Sequence, residues 1–386
     1  MGGIMKNRTT GRAARLICSL AMLLLLEGCA TYPVSYDTAV PATREALFEY
    51  PYFKDQVTGI AVSHEGRIFV NSPRWDKDPL YSVAEVLPDG SLRPFPGNDW
   101  NRWGQDEAKH PEAHFICVQS VVVDDYDFLW ILDPASPAFK GVVPGGAKLV
   151  RINLATGIVE QVISFDDIAA PRNSYLNDVR FDPAEDVAYI TDSGTGAIVV
   201  VDLDTGKSRR RLATHPSTKA EPAYVPVIGG KELRDEDGRV PQIHADGIAI
   251  DYAGEYLYYH ALTARTLYRI KTSALKDPYL SEDQLANFVE RVAETGAVDG
   301  MLMDSENNLY LTALEENAIK RYRLDGDILG TVVRDDRIQW PDSLDISPDD
   351  YLYFTASQIH RMPRFNWGKD GRILPYKFFK IQLEPS

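Results

Sequence analysis

One short pattern occurs six times along the chain, and no other feature limits the fold as strongly. It reads "VTGIAVSHEGRIFVNS" from Val57, "VQSVVVDDYDFLWILD" from Val118 and "LNDVRFDPAEDVAYITDSG" from Leu176. It returns as "ADGIAIDYAGEYLYYHAL" from Ala245, "VDGMLMDSENNLYLTAL" from Val298 and "PDSLDISPDDYLYFTAS" from Pro341. Each copy is a small or polar residue, a few apolar residues, a turn of Asp, Pro, Gly or Asn type, and an aromatic-rich alternating run. Two apolar runs across such a turn predict a hairpin. Third and fourth strand-like runs follow most copies, as in "KLVRINLATGIVEQVISF" and "AIVVVDLDTGKSRRRL", joined by the tight loops "ATG" and "DTG". Equivalent positions lie 61, 58, 69, 53 and 43 residues apart. Units of four antiparallel strands, repeated six times at that length, predict an all-β six-bladed β-propeller that forms a single domain.

The sixth copy has strands at "SLDIS", "YLYFTAS" and "YKFFKIQL" and lacks an outer one. The segment "EALFEYPYF", residues 45–53, has the character to supply it, so the propeller is expected over 45–386 with the N-terminal strand closing the last blade. Such closure protects two open sheet edges.

The first residues belong to a different problem. Lys6, Arg8, Arg12 and Arg15 precede an apolar run from Leu16 to Leu26 that ends in "LEGC". A bilayer-spanning helix needs about 20 apolar residues, so residues 1–28 read as a cleaved secretory signal. The ending resembles a bacterial lipobox, with Cys29 as the lipidated mature N-terminus. The expectation is an exported protein of the periplasm or cell envelope that meets the membrane only through this lipid. Residues 29–44, rich in Thr, Ala and Pro, read as a tether. Cys18 falls in the signal and Cys29 would carry lipid, which leaves Cys117 alone in the body and excludes an intrachain disulfide. At 44% hydrophobic residues the chain has the material for a large core instead. A formal charge of −15 makes nucleic acid an unsuitable partner. A monomer with a small-molecule ligand is expected.

Aligning the copies at the residue before the first apolar run gives Thr58, Gln119, Asn177, Asp246, Asp299 and Asp342. The innermost strand of each blade lines a propeller's channel, so these six form a ring around the axis. A single Gln, Asn or Asp at a strand start commonly caps a turn; six at one register are a candidate ligand-binding ring at the channel mouth. Three carboxylates facing one axis repel unless a cation or a ligand amine is present. The donors are hard oxygens, suited to Ca²⁺ or Mg²⁺. At the channel rim the charge of Asp246 need not be buried. His244, two residues before the ring, is a second catalytic candidate, whereas His260 alternates onto a strand and is expected to pack. His110 and His114 have i,i+4 spacing, but Pro111 argues against a helix that would present both to zinc. The insertion between Asn177 and Asp246 is expected to loop over one mouth. No G-x-S-x-G elbow, Walker loop or dinucleotide fingerprint occurs.

Several segments carry a resemblance: "RIFVNSPRW" with "LRPFPGNDWN", "DFLWILD", "AYITDSGTGAIVVVDLDTGKSRRRL", "DGIAIDYAGEYLYYHALTARTLYRI" and the C-terminal "HRMPRFNWGKDGRILPYKFFKIQL". In this order they resemble the Yellow/major royal jelly protein family, of which the chain looks like a bacterial branch. The resemblance implies a secreted six-bladed propeller. It implies a function near that of members linked to dopachrome conversion or to binding of small aromatic amines. Asp246 or His244 would then move a proton on the bound ring, with Asn177 and Gln119 bonding the ligand. The fold is also similar to the regucalcin/gluconolactonase propellers, whose divalent metal is held by a Glu, two Asn and an Asp. Asn177 and Asp246 match two of these, while Thr58 and Gln119 stand in place of the others. The alternative is therefore a lactonase or esterase with a metal on Asn177 and Asp246 and Asp299 as base. A third is a non-catalytic binding scaffold.

Overall fold

The structure is a computed structural model that describes residues 34–37 and 41–383; the signal segment and Cys29 lie outside the described residues. Among the described residues, five sheets of four strands and one of five form the blades, beside a two-stranded hairpin. Their inner strands are Gly59–Val62, Ser120–Val123, Leu176–Phe181, Ala245–Ile250, Val298–Met303 and Pro341–Ile346. These define blades 1 to 6, and the fold is the six-bladed β-propeller that the repeats predict. The turn residues act as expected. Asp124, Asp251 and Asp304 each accept backbone N–H groups two to five residues on, which closes the hairpin between the first two strands.

Blade 6 is closed by the N-terminal strand. Phe48–Phe53 pairs antiparallel with Tyr376–Gln382, with Phe48 opposite Lys380 and Tyr50 opposite Phe378. The Tyr50 and Phe378 rings stack with centroids 4.5 Å apart. Part of the segment expected as a free tether is docked instead. Ser35–Tyr36 runs parallel to the outer strand of blade 5, Ile328–Arg334, and Ala42 forms a further bridge to Val333. The physical reason is the exposed edge of that strand: the carbonyls of Asp327, Leu329 and Val332 accept N–H groups from Ser35, Asp37 and Ala42.

The core divides by blade interface. Trp130, Leu149, Val179 and Ile190 pack between blades 2 and 3, Tyr189, Ile248 and Tyr259 between 3 and 4, and Tyr310, Leu344 and Phe354 between 5 and 6. Each sheet thus buries both faces against its neighbours.

Near the axis, threonine hydroxyls of the second strands bond backbone carbonyls at the start of the next blade's inner strand. The Thr191 hydroxyl donates to the Asp246 carbonyl of the next blade at 2.5 Å, and Thr355 donates to the Thr58 carbonyl at 2.7 Å. Thr191, Thr312 and Thr355 also accept the N–H of Asp178, Asp299 and Ser343 in their own blades. The pairing register shifts at this point in blades 3 to 6, so the ring residue and its successor sit in a bulge. The glycine after Asp246 and Asp299 follows from the crowding. A Cβ on Gly247 would lie 2.2 Å from the Asp299 carbonyl oxygen, and one on Gly300 2.1 Å from that of Asp342. Gly300→Ala is expected to destabilise the protein by about 1–3 kcal/mol, as overpacking against rigid backbone does. Urea denaturation with an unchanged midpoint would contradict this packing.

Candidate functional site

The six ring residues do come together at the start of the inner strands, but they are not on an open rim. Asp246 is 2% exposed, Asp342 3% and Thr58 0%. The expectation that the charge of Asp246 stays in solvent is therefore corrected. The cause is a cover of loop residues over this mouth. Trp75, Phe139 and Tyr175 stack with centroids 5.3 and 5.4 Å apart, and Met362 packs beside Trp75 and Tyr175. The Trp75 indole N–H donates to the Tyr175 hydroxyl at 2.6 Å, which donates to Gln119 Oε1 at 2.9 Å. The insertion before Asp246 contributes as expected, since its Ile228 and Leu233 pack with Leu314 and Trp340. A second covering segment, residues 357–375 in blade 6, was not foreseen from the repeat.

Beneath the cover, burial decides the state of the carboxyl groups. Asp246 is pushed well above the carboxylate range by burial first, then by Asp299 and Asp178. Asp299 is raised to about 7, chiefly by burial, even though Trp340 Nε1 donates to its Oδ2 at 2.6 Å. Asp246 and Asp299 are neighbours in this buried cluster, and each acts on the other's ionisation. Burial raises Asp342 and Asp178 as well. Two neighbouring buried carboxyls, both raised out of the ordinary range, are suited to acid–base work near neutral pH.

Three residues at the positions of the lactonase metal set bond within the protein. Thr58 Oγ1 accepts from Asn71 Nδ2 at 2.9 Å, Gln119 Oε1 is taken by Tyr175, and Asn177 Nδ2 donates to Ser193 Oγ at 3.1 Å. Among the described residues no three carboxylate, imidazole or thiolate groups converge as a metal site requires. Asp246 Oδ1 and Asp342 Oδ2 are buried without a hydrogen-bond partner. His244 is half-buried, and its Nδ1 accepts the Ala220 N–H at 3.0 Å, so the ring holds the insertion in place. His260 is packed, bonded to the Ala261 carbonyl and to Thr295. His114 bonds the Asp99 carbonyl, and Pro111–Ala113 is a short 3-10 turn that separates it from His110. Cys117 is buried and free.

A cavity of about 720 Å³ opens from the opposite mouth and reaches the residues one step below the ring. At the channel it is lined by Ser120, Asp178, Ser343, Arg180 and Asp345, with Tyr126, Phe128, Trp130 and Phe181 as side walls. Nine acidic side chains line it against two arginines, Arg151 and Arg180. The Arg180 guanidinium crosses the channel from blade 3 and donates to the Met301 carbonyl of blade 5 at 2.5 Å. Sequence reasoning missed Asp178 and Arg180, although a signal existed. The residue after the ring position is Gly59, Ser120, Asp178, Gly247, Gly300 and Ser343, so one carboxylate stands among five small residues. Two positions further on, the row reads Ala61, Val122, Arg180, Ala249, Leu302 and Asp345, and both charged members line the cavity.

Blades, closing strand and a channel of buried carboxyl groups define a six-bladed propeller with a covered ring and an acidic lower cavity. The chain belongs to the major royal jelly protein family, whose description matches residues 116–370. No curated protein sequence matches it. Among solved structures it is similar to a luciferin-regenerating enzyme, at 10% identity over 87% of this chain and 95% of that one, with a TM-score of 0.53. A gluconolactonase from Xanthomonas campestris gives 11% identity, 91% and 98% coverage and a TM-score of 0.52. A streptogramin B lyase gives 12%, 88%, 97% and 0.52. Likeness at this level is one of fold alone.

The raised carboxyl groups have a pH consequence. An acid whose folded pKa exceeds its unfolded value contributes stability that is complete below the unfolded pKa, near 4, and lost as pH rises through the folded one. For Asp299 that upper limit is about 7. The unfolding temperature of the wild type should therefore fall between about pH 4 and pH 8. Asp246→Asn removes one of the raised carboxyl groups and should fall less, ending about 2 °C the more stable at the alkaline end. Parallel curves for the two proteins would show that the pair does not titrate in this window.

Proposed function

We propose that this exported propeller binds a small amine-bearing aromatic ligand in the cavity beneath the ring and isomerises it by a proton shift. The observation that carries the reading is the cavity itself, whose lining combines nine acidic groups with four aromatic ones. Acidic groups attract an ammonium, and aromatic walls bury a flat ring. Asp178, at the inner end, is the carboxyl group closest in sequence to the ring and is buried beside Asp246, Asp299 and Asp342. In the isomerisation, Asp178, which lines the cavity, removes a proton from one ligand position and returns it at another; Asp246 and Asp299 do not line the cavity and act on the ligand through Asp178. The step is a tautomerisation, so it needs no oxidant and no metal-held group.

Calorimetric titration with dopamine and tryptamine tests the binding step. Binding is expected for both, weakened about tenfold in Asp178→Asn; absence of binding by every cationic aromatic amine tried would sink the proposal. Asp246→Asn is expected to keep binding and lose turnover of a catechol-derived indole. The export reading, with Cys29 as lipid anchor, rests on the basic leader, the short apolar run and "LEGC". In a bacterial host, Cys29→Ser should move the protein from the membrane to the soluble fraction, and identical partitioning of variant and wild type would contradict an anchor.

A further inference from the structure

A second cavity, of about 710 Å³, lies on the covered face between the two insertions and belongs to neither the ring nor the acidic mouth. One wall is the hairpin of Val227–Ile228 and Lys231–Glu232 with Leu233 and Arg234 beyond it; the other is the blade 6 insertion from His360 to Gly371. The walls differ in charge from the rest of the molecule. Lys231, Arg234 and Arg361 line the space against a single acid, Glu232, in a chain of formal charge −15. Glu232 is committed to Arg234, at 2.7 Å. Arg361 meets only neutral acceptors, Gln339 Oε1 at 3.1 Å and the Gly371 carbonyl at 3.4 Å. Lys231 makes no ion pair among the described residues.

Two cations are therefore left without a counter-charge at one cavity. Their effect on a group in the wall is visible. His360 is held neutral, its pKa lowered to about 4 by burial first and then by Arg361 and Lys231. Aromatic side chains form part of the remaining lining, beside Ile228 and Leu233. His360 stacks on Trp340 with rings 7° from parallel, and Phe365 and Trp367 complete the slot, Trp367 being 67% exposed. Trp367 sits at a φ of 54° ahead of Gly368 at 74°, a left-handed turn in which an indole is uncommon. An exposed indole on such a backbone needs a reason, and a partner for its face supplies one.

We propose that this slot is a binding site for a small aromatic carboxylate, with the ring between Trp367, Phe365 and His360 and the carboxylate toward Lys231 and Arg361. Guanidinium and ammonium groups supply the charge-assisted bonds that a carboxylate accepts. The flat apolar walls favour an aryl acid over an inorganic anion. The site shares no residue with the acidic cavity and does not depend on the amine reading.

Calorimetric titration of the purified protein with indole-3-acetate, indole and inorganic phosphate tests it. Indole-3-acetate is expected to bind at least about tenfold more tightly than indole, and more tightly than phosphate. Lys231 is exposed, so Lys231→Glu should fold as the wild type does; it should weaken indole-3-acetate about tenfold and leave indole unchanged. Trp367→Ala should weaken indole-3-acetate and indole together. Equal affinity for indole and indole-3-acetate, phosphate binding as tight as the aryl acid, or insensitivity to Lys231→Glu would each overturn the proposal. Amine titrations in the same Lys231→Glu protein should be unaltered, which separates failure here from failure of the acidic cavity.

Discussion

Four carboxyl groups are brought together on the propeller axis because each blade must start its inner strand there. Thr191 and Thr355 clasp the next blade's carbonyl, and Gly247 and Gly300 let the neighbouring backbone approach, so the ring cannot spread to separate its charges. Two like charges 4 Å apart repel by about 4 kcal/mol at an effective dielectric of ~20. Protonating an ordinary carboxyl at neutral pH costs about the same, at 1.36 kcal/mol per unit of pKa. Burial beneath the aromatic cover adds a further penalty to the ionised form and tips the balance. Both Asp246 and Asp299 are consequently raised out of the carboxylate range, although the Trp340 indole donates to Asp299 Oδ2.

That balance depends on the loops as much as on the blades. Without Trp75, Phe139 and Tyr175 stacked over the mouth, water would reach the ring and the carboxyl groups would ionise near their ordinary range. The cover also divides the molecule's chemistry. Below the ring the walls are acidic and reach Asp178; above it, the slot between the insertions carries Lys231 and Arg361. The two cavities thus carry opposite charge, because the residues that set each field lie on different elements. The lower field comes largely from strand ends and hairpin turns of blades 2 and 3, and the upper from insertions outside the repeat.

Much of this was open to a reader of the chain. The ring positions follow from the alignment of copies, since one register in a closed array meets at one axis. The closing strand at residues 48–53 followed from a missing edge. Asp178 and Arg180 were legible in principle, as charged exceptions in rows of small or apolar residues. The docking of Ser35–Tyr36 on blade 5 was not, because two residues of strand carry no periodicity and are held by a neighbour's unpaired carbonyls. Nor was the engagement of Gln119 by Tyr175 or of Thr58 by Asn71, which removes two groups that the lactonase reading would need.

Local pattern by itself determined the six blades, their order, the polar ring and the turn at each hairpin, because strand alternation and turn chemistry act over a few residues. Tertiary structure decided whether Asp246 is a solvated anion or a buried acid, and which mouth stays open. Those outcomes depend on where segments 213–243 and 357–375 come to rest, and contacts between residues that far apart in the chain leave no period for the sequence to show.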